Sequence, residues 1–149
     1  MQQPIIRSYE EKDQLELIQL IRLNTPTYFA TEEEADFNHY LEKEREDYFV
    51  ITLQQQVIGC GGINYSSDRK TAIISWDILH PDFQGKGLGK QLLAFRLAHI
   101  KNQHILSVVV RTSQVAFLFY QKQGFAITET IKDYWAEGLD LVKMEMVVS

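Results

Sequence analysis

Three glycines fall within the seven residues Gln84-Gly85-Lys86-Gly87-Leu88-Gly89-Lys90, between a run that reads as a strand, Thr71 to Leu79, and one that reads as a helix from Leu88. The first N–H groups of a helix lack intrahelical partners and carry the positive end of its dipole, so a helix start is an anion site. A glycine inside a helix costs about 1 kcal/mol relative to alanine, which makes Gly87 and Gly89 unfavourable unless something must approach the backbone closely. A phosphate meets that need, and Lys86 and Lys90 add positive charge to the rim. Two other phosphate loops fail on spacing. A Walker A loop needs a glycine where Gln84 stands and Ser or Thr where Gln91 follows Lys90, and a dinucleotide fingerprint needs its third glycine at Lys90.

The strand Thr71-Ala72-Ile73-Ile74-Ser75-Trp76-Asp77-Ile78-Leu79 offers a second chemical group. Strict alternation puts Ile74, Trp76 and Ile78 on one apolar face and Ser75 with Asp77 on the other. Asp is disfavoured inside strands, so Asp77 needs a reason. As a carboxylate it can take a proton or hold a cation; it can equally pair with a neighbouring Lys, Arg or backbone N–H. His39, His80, His99 and His104 lack metal-ligand spacing with one another or with Cys60, so no metal is expected, and His80 reads as the turn before Pro81. Cys60, in Gly59-Cys60-Gly61-Gly62, reads as a small buried residue.

The elements that must position these groups follow from periodicity. Ile5 to Tyr9 reads as a strand, and Leu17, Leu20 and Ile21 mark one face of a helix over Glu10 to Leu23. Thr31 with Glu34 predicts a capping box ahead of an acidic helix through Phe37, Tyr40, Leu41 and Glu44. Tyr48–Leu53, Val57–Tyr65 and Thr71–Leu79 read as strands joined by polar turns, an antiparallel meander. A helix to about Gln103, a strand Ile105–Arg111, a helix Ser113–Gln123 ended by Gly124, and strands Phe125–Thr130 and Leu139–Val148 complete the order βααβββαβαββ. That order predicts an α/β fold with helices on both faces of one sheet, as a single domain over residues 1–149.

The chain has 149 residues, 45% of them hydrophobic and 23% charged, which is the composition of a globular protein that buries most of its apolar surface. Its net charge of −5 argues against a nucleic-acid partner. One cysteine permits no internal disulfide. Met1-Gln2-Gln3-Pro4 precedes no apolar h-region and no long apolar run follows, so a cytoplasmic protein without membrane attachment is expected.

The stretch Ile78-Leu79-His80-Pro81-Asp82-Phe83-Gln84-Gly85-Lys86-Gly87-Leu88-Gly89 fits [Gln/Arg]-x-x-Gly-x-[Gly/Ala] after a strand ending in a His-Pro turn, and resembles the GNAT family of N-acetyltransferases. Ser113-Gln114-Val115-Ala116-Phe117-Leu118-Phe119-Tyr120 through Gly124-Phe125 resembles the family's Asn-x-x-Ala-x-x-[Leu/Phe]-Tyr-x-x-x-Gly-Phe, with Ser113 where Asn is usual. The resemblance extends to the element order and implies a mixed, mostly antiparallel twisted sheet of about seven strands flanked by about four helices.

It also implies an activity: transfer of an acetyl group from acetyl-CoA to a primary amine by direct attack. The cofactor's pyrophosphate would then lie on the backbone from Gln84 and Gly85 to Lys90, its pantetheine arm along Ile78 and Leu79, and Ser113 nearby. An alkyl ammonium, of pKa about 10.4, must lose a proton; the developing oxyanion needs N–H donors; a thiolate of pKa about 8.5 gains from a proton donor. The family motif puts Tyr120 near the sulfur as that donor and a backbone N–H near Leu79 at the oxyanion. Asp77 is the candidate base, and Tyr28, Phe29, Ser75, Asp77 and Tyr134 are expected around the acceptor, where the acids of Asp133 to Asp140 suit a cationic amine. A small molecule or amino acid is favoured over a peptide N-terminus or lysine. The competing expectation is a non-catalytic module that holds acyl-CoA as a sensor or partner. An exposed edge strand at Val147 and Val148 would allow a homodimer.

Overall fold

The computed structural model describes residues 3–148, so Met1 and Gln2, where the reading of the N-terminus begins, lie outside it. The strands β1 (Ile5–Ser8), β2 (Asp47–Leu53), β3 (Gln56–Tyr65), β4 (Thr71–Leu79), β5 (Ser107–Thr112), β6 (Ala126–Ala136) and β7 (Leu139–Val147) form one mixed sheet in the order β1-β2-β3-β4-β5-β7-β6. Four α-helices accompany them: α1 (Gln14–Leu23), α2 (Glu33–His39), α3 (Leu88–Ile100) and α4 (Phe117–Lys122). This is the expected architecture, with β4–β5 parallel and the other described pairs antiparallel.

A core lies on each face of the sheet. Leu88, Leu92, Leu93 and Ile100 of α3 pack with Tyr120 of α4 against Ile51, Ile58, Ile63, Ile74 and Val110. On the opposite face, Leu17, Leu20 and Ile21 of α1 and Phe37 of α2 meet Tyr48, Val50, Cys60 and Ile78. Each fully buried side chain of this size stabilises the fold by roughly 1.5–3 kcal/mol, so the 3.6-residue spacing read from α1 carries real energy.

Several local expectations change. No capping box forms between Thr31 and Glu34: α2 starts one residue later than it implies, the Ala30 N–H donates to Glu33 at 2.7 Å, and Glu34 instead pairs with Arg22 at 2.7 Å. The helix continues from α2 as a wider π turn over Tyr40–Glu44. Ser113 stands outside α4; its hydroxyl accepts the Val115 N–H at 3.2 Å, closing a turn before the helix. Strand β6 runs on to Ala136, past the expected end at Thr130, so Tyr134 and Trp135 belong to a strand. Val147 and Val148 are not on an edge, because β7 lies between β5 and β6; the sheet's edges are β1 and β6.

The most consequential change is in β4. Trp76 has φ of 50°, and the β3–β4 register shifts between Cys60 and Gly62, so Trp76 and Asp77 together face Gly61 in a β-bulge. One extra residue reverses the alternation. Ile74 therefore joins the α3 core while Trp76 and Ile78 join the α1 core, and Asp77 points to α3, not to the side of Ser75. The Tyr48 hydroxyl donates to the Trp76 carbonyl at 2.7 Å and holds the bulge, whose left-handed residue costs of order 1–3 kcal/mol. Beyond Ile74 β4 no longer pairs with β5, and the two strands part into a cleft.

Candidate active site

The cleft has a volume of about 730 Å³ and passes from the start of α3, between β4 and β5, to the ends of α1 and β6. At its first end Gly85 and Gly87 have φ of 75° and 85°, which L side chains rarely adopt, and a Cβ on either would meet open space. Those two glycines therefore serve the turn of the loop, whereas Gly89, inside the first turn of α3, lies against Phe119, 3.3 Å from a would-be Cβ. No side chain caps α3, so its first N–H groups are left to the cleft, which Gly85, Gly87, Gly89 and Lys90 line. The other loop side chains point elsewhere. Leu88 is buried in the core, and the Lys86 ammonium lies 5.5 Å over the Phe83 ring. Gln84 ties the loop down, donating to Asn24 at 3.2 Å and to the Leu79 carbonyl at 3.3 Å.

Ile78 and Leu79 form the β4 wall. The His80 N–H bonds the Ile58 carbonyl in β3. Alternation along the strand then turns the Leu79 backbone away from β3, and its carbonyl meets Asn24 and Gln84 there. The Leu79 N–H faces the same open side. Ser113 is buried at the β5 wall, its hydroxyl engaged in its own turn.

At the middle of the cleft Tyr120 is buried, and its hydroxyl donates to Asp77 Oδ2 at 2.6 Å. Burial first, and then the Asp77 charge and hydrogen bond, hold its phenol well above the ordinary value. Asp77 is not a free carboxylate. Arg96 of α3 grips both its oxygens, Nη1 to Oδ1 at 2.5 Å and Nη2 to Oδ2 at 2.9 Å. Burial opposes the Arg96 charge, yet Asp77 outweighs it and the guanidinium is held above its ordinary value. Of the two readings of Asp77, ion pairing is the one the geometry realises.

The far end is aromatic and acidic. Phe29 stacks on Trp76 at 6.0 Å and 18° between planes, whereas the neighbouring Tyr28 reaches the loop at the first end and donates to Gln84 at 3.3 Å. Ser75 lines this end but gives its proton to Asn64 at 2.8 Å. Glu33, 7% exposed, also lines the cleft, and burial raises its carboxyl above the usual range despite the Ala30 N–H. No cation pairs with it among the described residues. On the β5 wall Arg111 lies over Tyr134 and Trp135, with centroids at 5.1 and 5.7 Å, and donates to the Tyr134 hydroxyl at 2.6 Å. Tyr134 stands at the rim and Trp135 is the lining residue.

Sequence reading missed Arg96, Glu33 and Arg111, and of the two aromatics within Asp133–Asp140 it singled out Tyr134, where Trp135 is the one that lines the cleft. Arg96 had a signal: it sits four residues after Leu92 and four before Ile100, on the stripe of α3 that has to be buried. Glu33 had none, being one acid among four in the run from Glu32 to Asp36. Among the described residues no three His, Cys, Asp or Glu side chains converge as metal ligands, and no helix is long and apolar enough to cross a membrane. Burial pushes the Cys60 thiol up to about 12, which leaves it inert as a nucleophile.

The mixed seven-strand sheet with its helices has the fold of several solved acetyltransferases. The ribosomal-protein-S18-alanine N-acetyltransferase of Escherichia coli superposes with a TM-score of 0.81 over 99% of this chain and 95% of its own, at 18% identity. The paia N-acetyltransferase of Thermoplasma acidophilum, solved in complex with coenzyme A, gives 0.76 over 98% and 99%, at 19% identity. In sequence, an uncharacterized N-acetyltransferase of Prochlorococcus marinus, ycf52-like, is 40% identical over 53 residues, 35% of this chain; the match spans only 29% of that relative's length. The acetyltransferase (GNAT) domain model matches residues 11–148, and the chain belongs to that family.

Proposed function

We propose that the protein is an N-acetyltransferase that uses acetyl-CoA and acts on a small primary amine. The observation that carries this reading is the single cleft, which joins an uncapped helix start to a buried tyrosine and then to an aromatic chamber holding one acid. The donor set fits a coenzyme A: backbone N–H groups from Gly85 to Lys90 suit a pyrophosphate, and the unpaired β4 edge at Ile78 and Leu79 suits an amide-bearing arm. Acetyl-CoA supplies an activated acyl group, so that a C–N bond forms as the C–S bond breaks. The Leu79 N–H, on the open side of β4, suits the developing oxyanion. Tyr120, kept neutral by its surroundings, supplies a proton to the leaving sulfur.

Glu33 takes the part first sought for Asp77. Its carboxylate lies beside Phe29 and Trp76 in a desolvated chamber, suited to hold an ammonium and to receive its proton. Arg111, with no acid partner among the described residues and aromatic rings beneath it, suits a carboxylate on the acceptor. An acceptor carrying both groups, of the amino-acid kind, satisfies both.

The test is release of free thiol from acetyl-CoA across a panel of amino acids, their decarboxylated amines, polyamines and peptides, with the acetylated product identified by mass. Turnover that needs the acceptor's carboxylate, and loses that preference in Arg111→Gln, supports the whole reading. Tight acetyl-CoA binding without turnover on any amine would favour the non-catalytic module.

A further inference from the structure

Arg96 lies in the buried stripe of α3 with Leu92, Leu93 and Ile100, 1% exposed. A guanidinium taken out of water is costly, and an apolar side chain would fill that stripe as well. Its hydrogen bonds reveal what the charge is for. Nη1 and Nη2 grip the two Asp77 oxygens, Nη1 also donates to the Gly62 carbonyl at 3.1 Å, and Nε to the Leu92 carbonyl at 3.4 Å. The Asp77 oxygen that takes Nη2 also takes the Tyr120 hydroxyl. An ionised carboxylate only accepts, so the phenolic proton points at Asp77 and the phenolic oxygen is pinned beside the bulge. Gly61 leaves the room for this: a Cβ there would overlap Asp77 Oδ1 and come 2.9 Å from Arg96 Nη1.

Resting on the proton-donor role given to Tyr120 above, we infer that Arg96, acting through Asp77 in the space left by Gly61, is a positioning residue that holds the Tyr120 hydroxyl at the reacting point of the cleft. Four elements meet on the Asp77 carboxylate that holds this hydroxyl: β3 through Gly61, β4 through Asp77 itself, α3 through Arg96 and α4 through Tyr120. Rotation about the phenolic C–O bond turns the proton from Asp77 to the sulfur without moving the oxygen. The helix whose start faces the phosphate end therefore also places the proton donor.

The informative variant is the double replacement Arg96→Met with Asp77→Leu, which leaves no buried charge unpaired and so spares the fold. Arg96→Lys is the conservative companion, keeping the charge but not the two-pronged grip. Melting temperature, its rise with acetyl-CoA, kcat and KM are measured together with NMR of tyrosine labelled at 13Cζ, Tyr120 being assigned through Tyr120→Phe. The expected result is a folded double variant that still gains stability from acetyl-CoA, with kcat about 10²-fold lower, KM for acetyl-CoA unchanged and the Tyr120 resonance moved. Arg96→Lys should recover part of kcat. Unchanged kcat in the double variant, or a Tyr120 resonance indifferent to it, would overturn the inference and leave Arg96 a bolt between α3 and β4. A wild-type protein that acetylates nothing while the resonance still responds would overturn the acetyltransferase reading and leave the clamp.

Discussion

In the proposed reaction Tyr120 and Glu33 divide the proton chemistry between them, and burial pushes both toward their neutral forms, helped at Tyr120 by the Asp77 charge and hydrogen bond. Tyr120→Phe keeps the ring that packs against Phe119 and Phe125 but removes the proton. Its kcat should fall by about 10²–10⁴-fold while the thermal shift with acetyl-CoA stays as in wild type. Glu33 carries a stability signature as well. Because burial raises its folded pKa above the unfolded value of about 4.3, its favourable contribution is complete below that pH and lost as pH rises through the folded value. Glu33→Gln, which keeps an oxygen for the Ala30 N–H, should therefore gain in melting temperature relative to wild type at pH 8 but not at pH 4, while its KM for the amine rises. Equal changes at both pH values would mean that Glu33 is not desolvated.

Loops and caps show the same logic at the level of elements. Gly87 is the N-cap of α3 in the left-handed region, with nothing near a would-be Cβ, so Gly87→Ala should cost about 1–2 kcal/mol of stability through backbone strain alone. Chemical denaturation would register it, and a cost near zero would mean that the loop relaxes. Before α1, Asp13 is gripped by Arg7 at 2.8 and 2.9 Å and accepts the Glu10 N–H at 2.8 Å, fastening β1 to the helix start. The Arg7 hydrogen bonds hold the Asp13 carboxyl below the usual range against the effect of burial. That stabilisation is full above about pH 3.9 and lost as pH falls through the lower folded value. Asp13→Asn should lower the melting temperature at pH 7 and narrow its gap to wild type in strong acid.

For the whole molecule, the cleft works because the sheet parts. β4 and β5 pair only over Thr71–Ile74 with Ser107–Val110, and the bulge at Trp76 coincides with the parting. A ligand that fills the gap should bolt the two halves of the sheet together. Acetyl-CoA or CoA at about 100 times Kd should add roughly 2.7 kcal/mol to stability, seen as a rise in melting temperature, while ATP and NAD should add nothing. A rise with ATP or NAD and none with acetyl-CoA would sink the reading of the loop.

The seven strands and four helices in their chain order, the uncapped helix start and the place of Tyr120 in the cleft were legible in the sequence, because hydrophobic period, glycine placement and short motifs are local properties. Even the buried arginine left a trace, in its position on the α3 stripe. What only the tertiary structure decided is where Asp77 points. Alternation sets a strand's faces only until a bulge inserts one residue, and that bulge depends on Tyr48 from β2 and on the bare backbone of Gly61 in β3. The acid that looked like a base is bound to a tyrosine and an arginine, and the acid that lines the aromatic end of the cleft came from α2, 44 positions earlier in the chain than Asp77. Contacts between residues so far apart in sequence have no local pattern to announce them; packing alone brings them together.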